Sequence, residues 1–205
     1  RRYSSAASDV YKRQVISGDH DQLTAALVTA GTKVEVSDAK VTVSDADGVA
    51  ITASELSDIG SSTTGLVTVT NAVAITGTAA EVTAALVTAG SLVVVSDAAV
   101  TITGNPTITE LNNIAAKTTG VVTATLADST IGDLASLNTA STDVITIGVS
   151  NTPTIEQLNT LAGKTAGVVT ATLAAASLSD LGSLDTAATD VITVTVNDAD
   201  NAAVT

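Results

Sequence analysis

Threonine supplies the most regular chemistry in this chain. Thr123, Thr146, Thr170 and Thr193 follow one another at steps of 23, 24 and 23 residues. A second series lies two residues further on: Thr125, Thr172 and Thr195, with Gly148 in the remaining place. On one face of adjacent strands such hydroxyls stand about 4.8 Å apart across strands and about 6.7 Å apart along each strand. Hydroxyls with no base beside them do no covalent chemistry. A flat grid of hydroxyls and methyls suits contact with an ordered surface such as ice, a crystalline solid or a carbohydrate. The competing reading is that threonine simply fits a half-exposed strand.

Carboxylates offer a second possibility. Asp45 and Asp47 precede Gly48, and Asp198 and Asp200 lie between Asn197 and Asn201. These four could lend oxygens to Ca²⁺. Neither stretch completes a twelve-residue calcium loop with a terminal bidentate Glu, and as turn residues they need no metal. Hence no cofactor is expected, with Ca²⁺ the alternative. His20 is the sole histidine and there is no cysteine, so a zinc site lacks ligands. A serine triad would have to use His20, with no nucleophile-elbow glycines near it. The expectation is a non-enzyme with no catalytic residues.

The elements that would position the threonines follow from a repeat. Gly120–Ala127 (GVVTATLA) recurs as Gly167–Ala174, 47 residues on, and Asp143-Val-Ile-Thr-Ile recurs as Asp190-Val-Ile-Thr-Val. Leu23–Gly31 (LTAALVTAG) recurs at Val82–Gly90. Each half-period opens on a capping box, in which a hydroxyl is followed three residues later by an acid or amide: Thr52/Glu55, Thr78/Glu81, Thr107/Glu110, Thr130/Asp133, Thr154/Gln157 and Ser177/Asp180, with Asp19/Gln22 a variant. Such a pair satisfies two orphan amides at a helix start. Apolar residues then come at three-residue spacing, as in Ile108, Leu111, Ile114 and Ile131, Leu134, Leu137, which predicts short helices of about ten residues.

Between the helices, Val121–Leu126, Val144–Val149, Val168–Leu173 and Val191–Val196 alternate and are β-branched, which predicts strands. One face carries Val122, Ala124, Leu126, then Ile145, Ile147, Val149, then Val169, Ala171, Leu173, then Ile192, Val194, Val196, and should lie against the helices. A strand, a short helix and the next strand within about 23 residues make a parallel βα coil. A coil this thin is not stable alone, so stacking is required. Lys117 and Lys164 fall at helix C-termini, where they suit the helix dipole, and Asp143 and Asp190 sit where a turn must enter a strand.

Three segments follow. Residues 1–14, outside the repeat, are expected to be a non-native tail on the resemblance given below, 15–106 irregular longer coils, and 107–205 regular coils. In the irregular part the extra length predicts additional strands at Val34–Val36 with Val41–Val43, Val73–Thr76, and Val93–Val95 with Val100–Thr103. The expected fold is an α/β solenoid of stacked ~23-residue strand–short-helix coils with a parallel sheet. The alternative is a mainly β solenoid with short helical corners.

The composition agrees. Apolar residues make up 45% of the chain and aromatics only 1%, with no Phe, Trp, Met or Cys, so the core is built from Val, Ile, Leu and Ala. A formal charge of −13 disfavours nucleic acid and anionic membrane surfaces, and no apolar run is long enough for membrane insertion.

Two resemblances complete the reading. Residues 4–14 (SSAASDVYKRQ) resemble a translated sequencing-adapter peptide, and such scars are left out of fold reasoning. The stretches GVVTATLA, Thr160–Thr165 and Ile114–Thr118 resemble Ala/Thr/Val-rich repeats of very large surface proteins of marine cyanobacteria and other aquatic bacteria. The resemblance implies a structural or adhesive module of a secreted or cell-surface protein, and hence an extracellular or cell-surface location. The implied partners are adjacent repeats of the same longer chain, with extracellular surfaces or carbohydrate as further candidates. An ice-binding or calcium-dependent adhesin module is the alternative.

Overall fold

The structure, a computed structural model, describes residues 15–31, 34 and 37–197. The described residues form an α/β fold whose strands make two all-parallel sheets, with no closed barrel among them. The described chain divides into two compact units. One comprises the residues up to 103 together with 113–121, and the other 104–112 together with those from 122 on.

In the first unit β1 (Val15–Gly18), β2 (Lys40–Val43), β4 (Val67–Val69) and β6 (Val93–Val94) pair in that order. A second ladder joins β3 (Ala50–Thr52), β5 (Ala74–Thr78) and β7 (Ala99–Thr103). The additional strands anticipated at 41–43, 73–76, 93–95 and 100–103 are thus present as β2, β5, β6 and β7, shifted by a residue or two. That at Val34–Val36 falls partly outside the described residues. Strands β1, β3 and β4 were not anticipated, although Val67-Thr68-Val69 alternates as a strand should. The inward set, Val41, Val43, Val67, Val69, Ile51, Ile75 and Val100, is buried.

Helices α1 (His20–Leu23), α2 (Ala53–Ser61) and α3 (Ala79–Val82) complete this unit. The repeated LTAALVT-like segment has a particular form: α1 and α3 each run on into a π-helical turn, Thr24–Val28 and Thr83–Val87. Each wide turn is closed by the next threonine. Thr29 donates both its amide (3.0 Å) and its hydroxyl (3.2 Å) to the Thr24 carbonyl, and Thr88 does the same to Thr83. Helix α2 packs against α3 and both π turns, and buries Leu56 and Ile59.

The second unit carries β8 (Val122–Thr125), β9 (Val144–Gly148), β10 (Val169–Thr172) and β11 (Val191–Thr193), paired in chain order and all parallel. Of its helices, α5 (Ile131–Leu134) and α7 (Leu178–Leu181) are single turns, whereas α6 (Ile155–Ala162) has eight residues; α4 (Ile108–Ala115), whose residues are divided between the two units, also has eight. These helices are therefore shorter than the ten or so residues expected, whereas α2 comes close with nine. After α5 the Ser136 hydroxyl bonds back to the Asp133 carbonyl at 2.7 Å and the chain tightens, with the Leu137 amide on the Leu134 carbonyl. Such back-bonding competes with helix continuation. Leu137 is buried nonetheless, beyond the helix end.

The capping boxes form as the spacing predicts. Full reciprocal boxes stand at Asp19, Thr52, Thr78 and Thr154, and Thr107/Glu110 makes the same pair of bonds. At Thr130 and Ser177 the N3 residue is Asp, one methylene shorter. Its carboxylate meets the cap hydroxyl, at 2.7 and 2.6 Å, in place of the cap amide. These bonds hold the carboxyls of Glu55, Glu81 and Glu110 below the usual range, the Thr52 hydroxyl leading for Glu55 and the Thr78 and Thr107 amides for the other two.

Candidate functional site

The strand faces of the second unit divide as the alternation predicts. Val122, Ala124, Leu126, Ile145, Ile147, Val169, Ala171 and Leu173 are buried. Val149, Ile192 and Val194 are only half-buried, and Val196 is 50% exposed. Strand β11 has a ladder partner on one side only among the described strands, which leaves its inward face partly uncovered. On the other face Thr125, Thr146, Thr170, Thr172, Thr193 and Thr195 are exposed and Thr123 is half-buried.

The threonine rows do not align at the repeat period. Thr146 pairs with Thr125, not with Thr123, which pairs with Val144. Thr170 pairs with Gly148 and with Val191, and Thr193 pairs with Thr172. Register offsets are therefore 21, 22 and 21 residues, about two shorter than the sequence steps, and the expected grid becomes a staggered one. The cause lies at the strand entries. The buried Asp143 carboxylate accepts the Val122 amide at 2.8 Å and the Ala140 amide at 2.9 Å. Asp190 does the same with Val169 and Ala187 at the same distances. Each aspartate fixes its own turn and pins the preceding strand's first amide.

Beyond β8 the offset shortens again, because Ser129 bridges Val149. One extra residue has entered the first strand, as in a bulge, a device that re-aims a side chain. The residue re-aimed is Asp128. Its carboxylate lies over Gly148, so close that a Cβ there would overlap Oδ1 and stand 2.8 Å from Cγ. A hollow of about 300 Å³ opens here, lined by Asp128 and by Thr125, Thr146, Thr170, Thr172 and Thr193 among others. No hydrogen bond from the described residues reaches the Asp128 carboxylate. The sequence reading missed Asp128. Its signal was a double departure from the repeat, because 47 residues on Ala175 stands for Asp128 and Thr195 for Gly148.

Loop hydroxyls are used quite differently. Thr165 is buried; its Oγ1 accepts the amides of Ile145 and Gly167, both at 2.8 Å, and lies 3.0 Å from the Asp143 carbonyl and 2.9 Å from that of Ile145. Thr63 and Thr118 occupy the same place in the first unit. Each donates to a carbonyl 20 or more residues earlier (Ala39 at 2.7 Å, Ala98 at 2.6 Å) and accepts the amide of the glycine two residues on at 3.0 Å. Lys164 lies past the end of α6, but its ammonium serves the chain just after α5, donating to the Ala135 and Leu137 carbonyls at 2.8 and 2.7 Å. Asn159 reaches forward, donating to the Ser183 carbonyl and accepting the Asp185 amide, both at 2.8 Å. Asn112 does so with Ser136 and Asn138.

The calcium candidates divide. Asp198 and Asp200 lie outside the described residues. Asp47 accepts the Ala72 amide at 3.0 Å. Asp45 is buried and takes the His20 amide at 2.8 Å on one oxygen and His20 Nδ1 at 2.7 Å on the other. Among the described residues no three His, Cys, Asp or Glu side chains cluster as a metal site would need.

His20 follows its N-cap directly and is half-buried. Burial pulls its pKa down, but the Asp45 hydrogen bond and charge, with the charges of Asp21 and Glu55, outweigh it and raise the pKa above 6.5. A raised histidine pKa contributes stability that is fully present below the unfolded-state value and lost as pH rises through the folded one. The unfolding midpoint should therefore fall as pH rises from about 6 to 8. His20→Asn should flatten that slope, and an unchanged slope in the variant would show that the pair contributes nothing.

No protein-family model, curated protein or solved structure matches this chain. Among the described residues no helix is long and apolar enough to cross a membrane.

Proposed function

We propose that the chain is a non-catalytic solenoid of stacked βα coils, a structural or adhesive repeat of a secreted or cell-surface protein that presents a threonine-lined strand face. The observation that carries this reading is the hydrogen bonding between coils. Asp143, Asp190 and Thr165 each close their own turn while also satisfying backbone of a neighbouring coil. Lys164, past a helix end, and Asn159, on a helix, also satisfy backbone 24 to 29 residues away. A coil removed from its neighbours would leave these amides and carbonyls unpaired, which is the condition for a quasi-one-dimensional array. The secreted or cell-surface setting rests on the resemblance of GVVTATLA and its companions.

Ice binding is less well supported than a looser surface contact. Ice matching wants rows at equal steps, whereas the register staggers the threonines and places a carboxylate at Gly148. A calcium-dependent adhesin would need ligands beyond Asp45 and Asp47, both held by protein donors.

The stacking is tested by deleting residues 120–166, which joins Thr119 to Gly167 and removes one full 47-residue period without altering the GVVTATLA stretch at the junction. A stacked array keeps folding when one period is lost.

A further inference from the structure

We propose that the hollow over Gly148 is a saccharide subsite, in which the Asp128 carboxylate accepts two hydroxyls of one sugar ring and the surrounding threonines bind its remaining polar edge. This rests on the contact-face reading above and gives that face a ligand class.

Three observations meet at this place. The first is the coupled departure from the repeat. Where the next period has Ala175 and Thr195, this one has Asp128 and Gly148, and the glycine makes the space the carboxylate fills. A solvating charge would need no such space. The second is what the bulge carries here: the same bulge recurs one step on, between Thr172↔Thr193 and Ala176↔Val196 with Ala175 at its turn, but between Thr125↔Thr146 and Ser129↔Val149 the residue it turns onto the strand face is the carboxylate Asp128. The third is the contrast in hydrogen bonding. The loop threonines 63, 118 and 165 are saturated with backbone partners, whereas the hollow's hydroxyls and the Asp128 carboxylate have none from the described residues.

The ligand class follows from the lining. A single carboxylate is too few charges for a divalent cation that takes six to eight oxygens, usually from several acids. The lining also lacks a cationic side chain, so an anion has no counter-charge. A pyranose ring presents adjacent hydroxyls that are both donors and acceptors. An acceptor-only carboxylate matches two of these donors, and threonine hydroxyls match either role. Charge-assisted bonds of this kind are about twice as strong as neutral ones. Exposed Val191, in register with Thr170, adds an apolar patch for the C–H face of a ring. At about 300 Å³ the hollow is at the small end of ligand clefts, so one ring rather than an extended chain is seated.

The test is an amide NMR titration of the full 205-residue chain with glucose, galactose and N-acetylglucosamine separately. Saturable shifts are expected at Gly148, Thr170 and Thr172 with at least one of them. Asp128→Asn should weaken that binding about tenfold or more. Gly148→Ala, which displaces the carboxylate while leaving the strand's backbone room, should weaken it similarly with unchanged circular dichroism. Failure of all three sugars to give saturable shifts, or binding indifferent to both variants, overturns the subsite.

A parallel arm keeps the two readings apart. Adsorption to insoluble cellulose and chitin is compared between the wild type and a Thr146→Lys, Thr193→Lys double variant. Adsorption lost in the double variant but unaffected by Asp128→Asn sinks the subsite and keeps the contact face. No adsorption at all, with no sugar shifts, sinks both.

Discussion

Replacing Thr165 by valine is expected to destabilise the protein by about 2–6 kcal/mol, although shape and volume hardly change. The loss comes from two buried amides. Thr165 Oγ1 accepts from Ile145 and Gly167, and valine accepts from neither. Each stranded amide costs about 1–3 kcal/mol, because water cannot reach it. The hydroxyl proton is also lost to the carbonyls of Asp143 and Ile145. Thr165→Ser keeps every hydrogen bond and removes one methyl, which costs about 1 kcal/mol. Urea denaturation of the three proteins checks the ordering. A valine variant within about 0.5 kcal/mol of wild type, the usual scatter of neutral changes, would mean that the inter-coil hub carries no weight.

Gly167→Ala should be at least as damaging, about 3 kcal/mol or more, and the reason is space rather than backbone conformation. A Cβ at Gly167 would overlap the Ile145 carbonyl oxygen and stand 2.5 and 2.6 Å from that residue's carbon and nitrogen. All three are backbone atoms of β9, so relief requires the strand itself to move. Gly65 and Gly120 approach the carbonyls of Ala39 and Ala98 in the same way, which makes the close approach a property of the Thr-x-Gly motif and not of one position. Gly148→Ala provides the contrast. Its new methyl meets only the Asp128 side chain, which can swing away, so stability should change by no more than about 0.5 kcal/mol. Equal losses at the two glycines would refute the distinction between a packing glycine and a site glycine.

What could be read from the sequence depended on how local the physics was. Capping boxes are decided within four residues, and those at Asp19, Thr52, Thr78, Thr107 and Thr154 form with both of their bonds. Strand faces were legible too, because alternation has a period of two. Register was not. A slip of two residues keeps the inward apolar residues inward and the threonines outward, so the pattern cannot separate an offset of 21 from one of 23. The offset is set by Asp143 and Asp190, each reaching a strand amide 21 residues back, and no windowed pattern contains that information. The Thr-x-Gly hub was hidden for the same reason. Thr63-Thr-Gly65, Thr118-Thr-Gly120 and Thr165-Ala-Gly167 recur visibly, but their partners lie in other coils. Helix length failed at α5 and α7, where Asp133 and Asp180 carbonyls take the Ser136 and Ser183 hydroxyls and the chain turns early. Asp128 escaped because a repeat draws attention to what recurs, and this residue matters by differing.

The interdependence of the coils is tested most directly by the urea m value of the protein lacking residues 120–166. The slope of stability against denaturant scales with the surface exposed on unfolding. An array in which each coil leans only on its neighbours should lose one period and still unfold cooperatively, with m reduced in proportion to the residues removed and the midpoint only modestly lowered. A variant that shows no cooperative transition, with collapsed secondary structure in water, would contradict the account, because it would mean that distant parts of the chain share a single core.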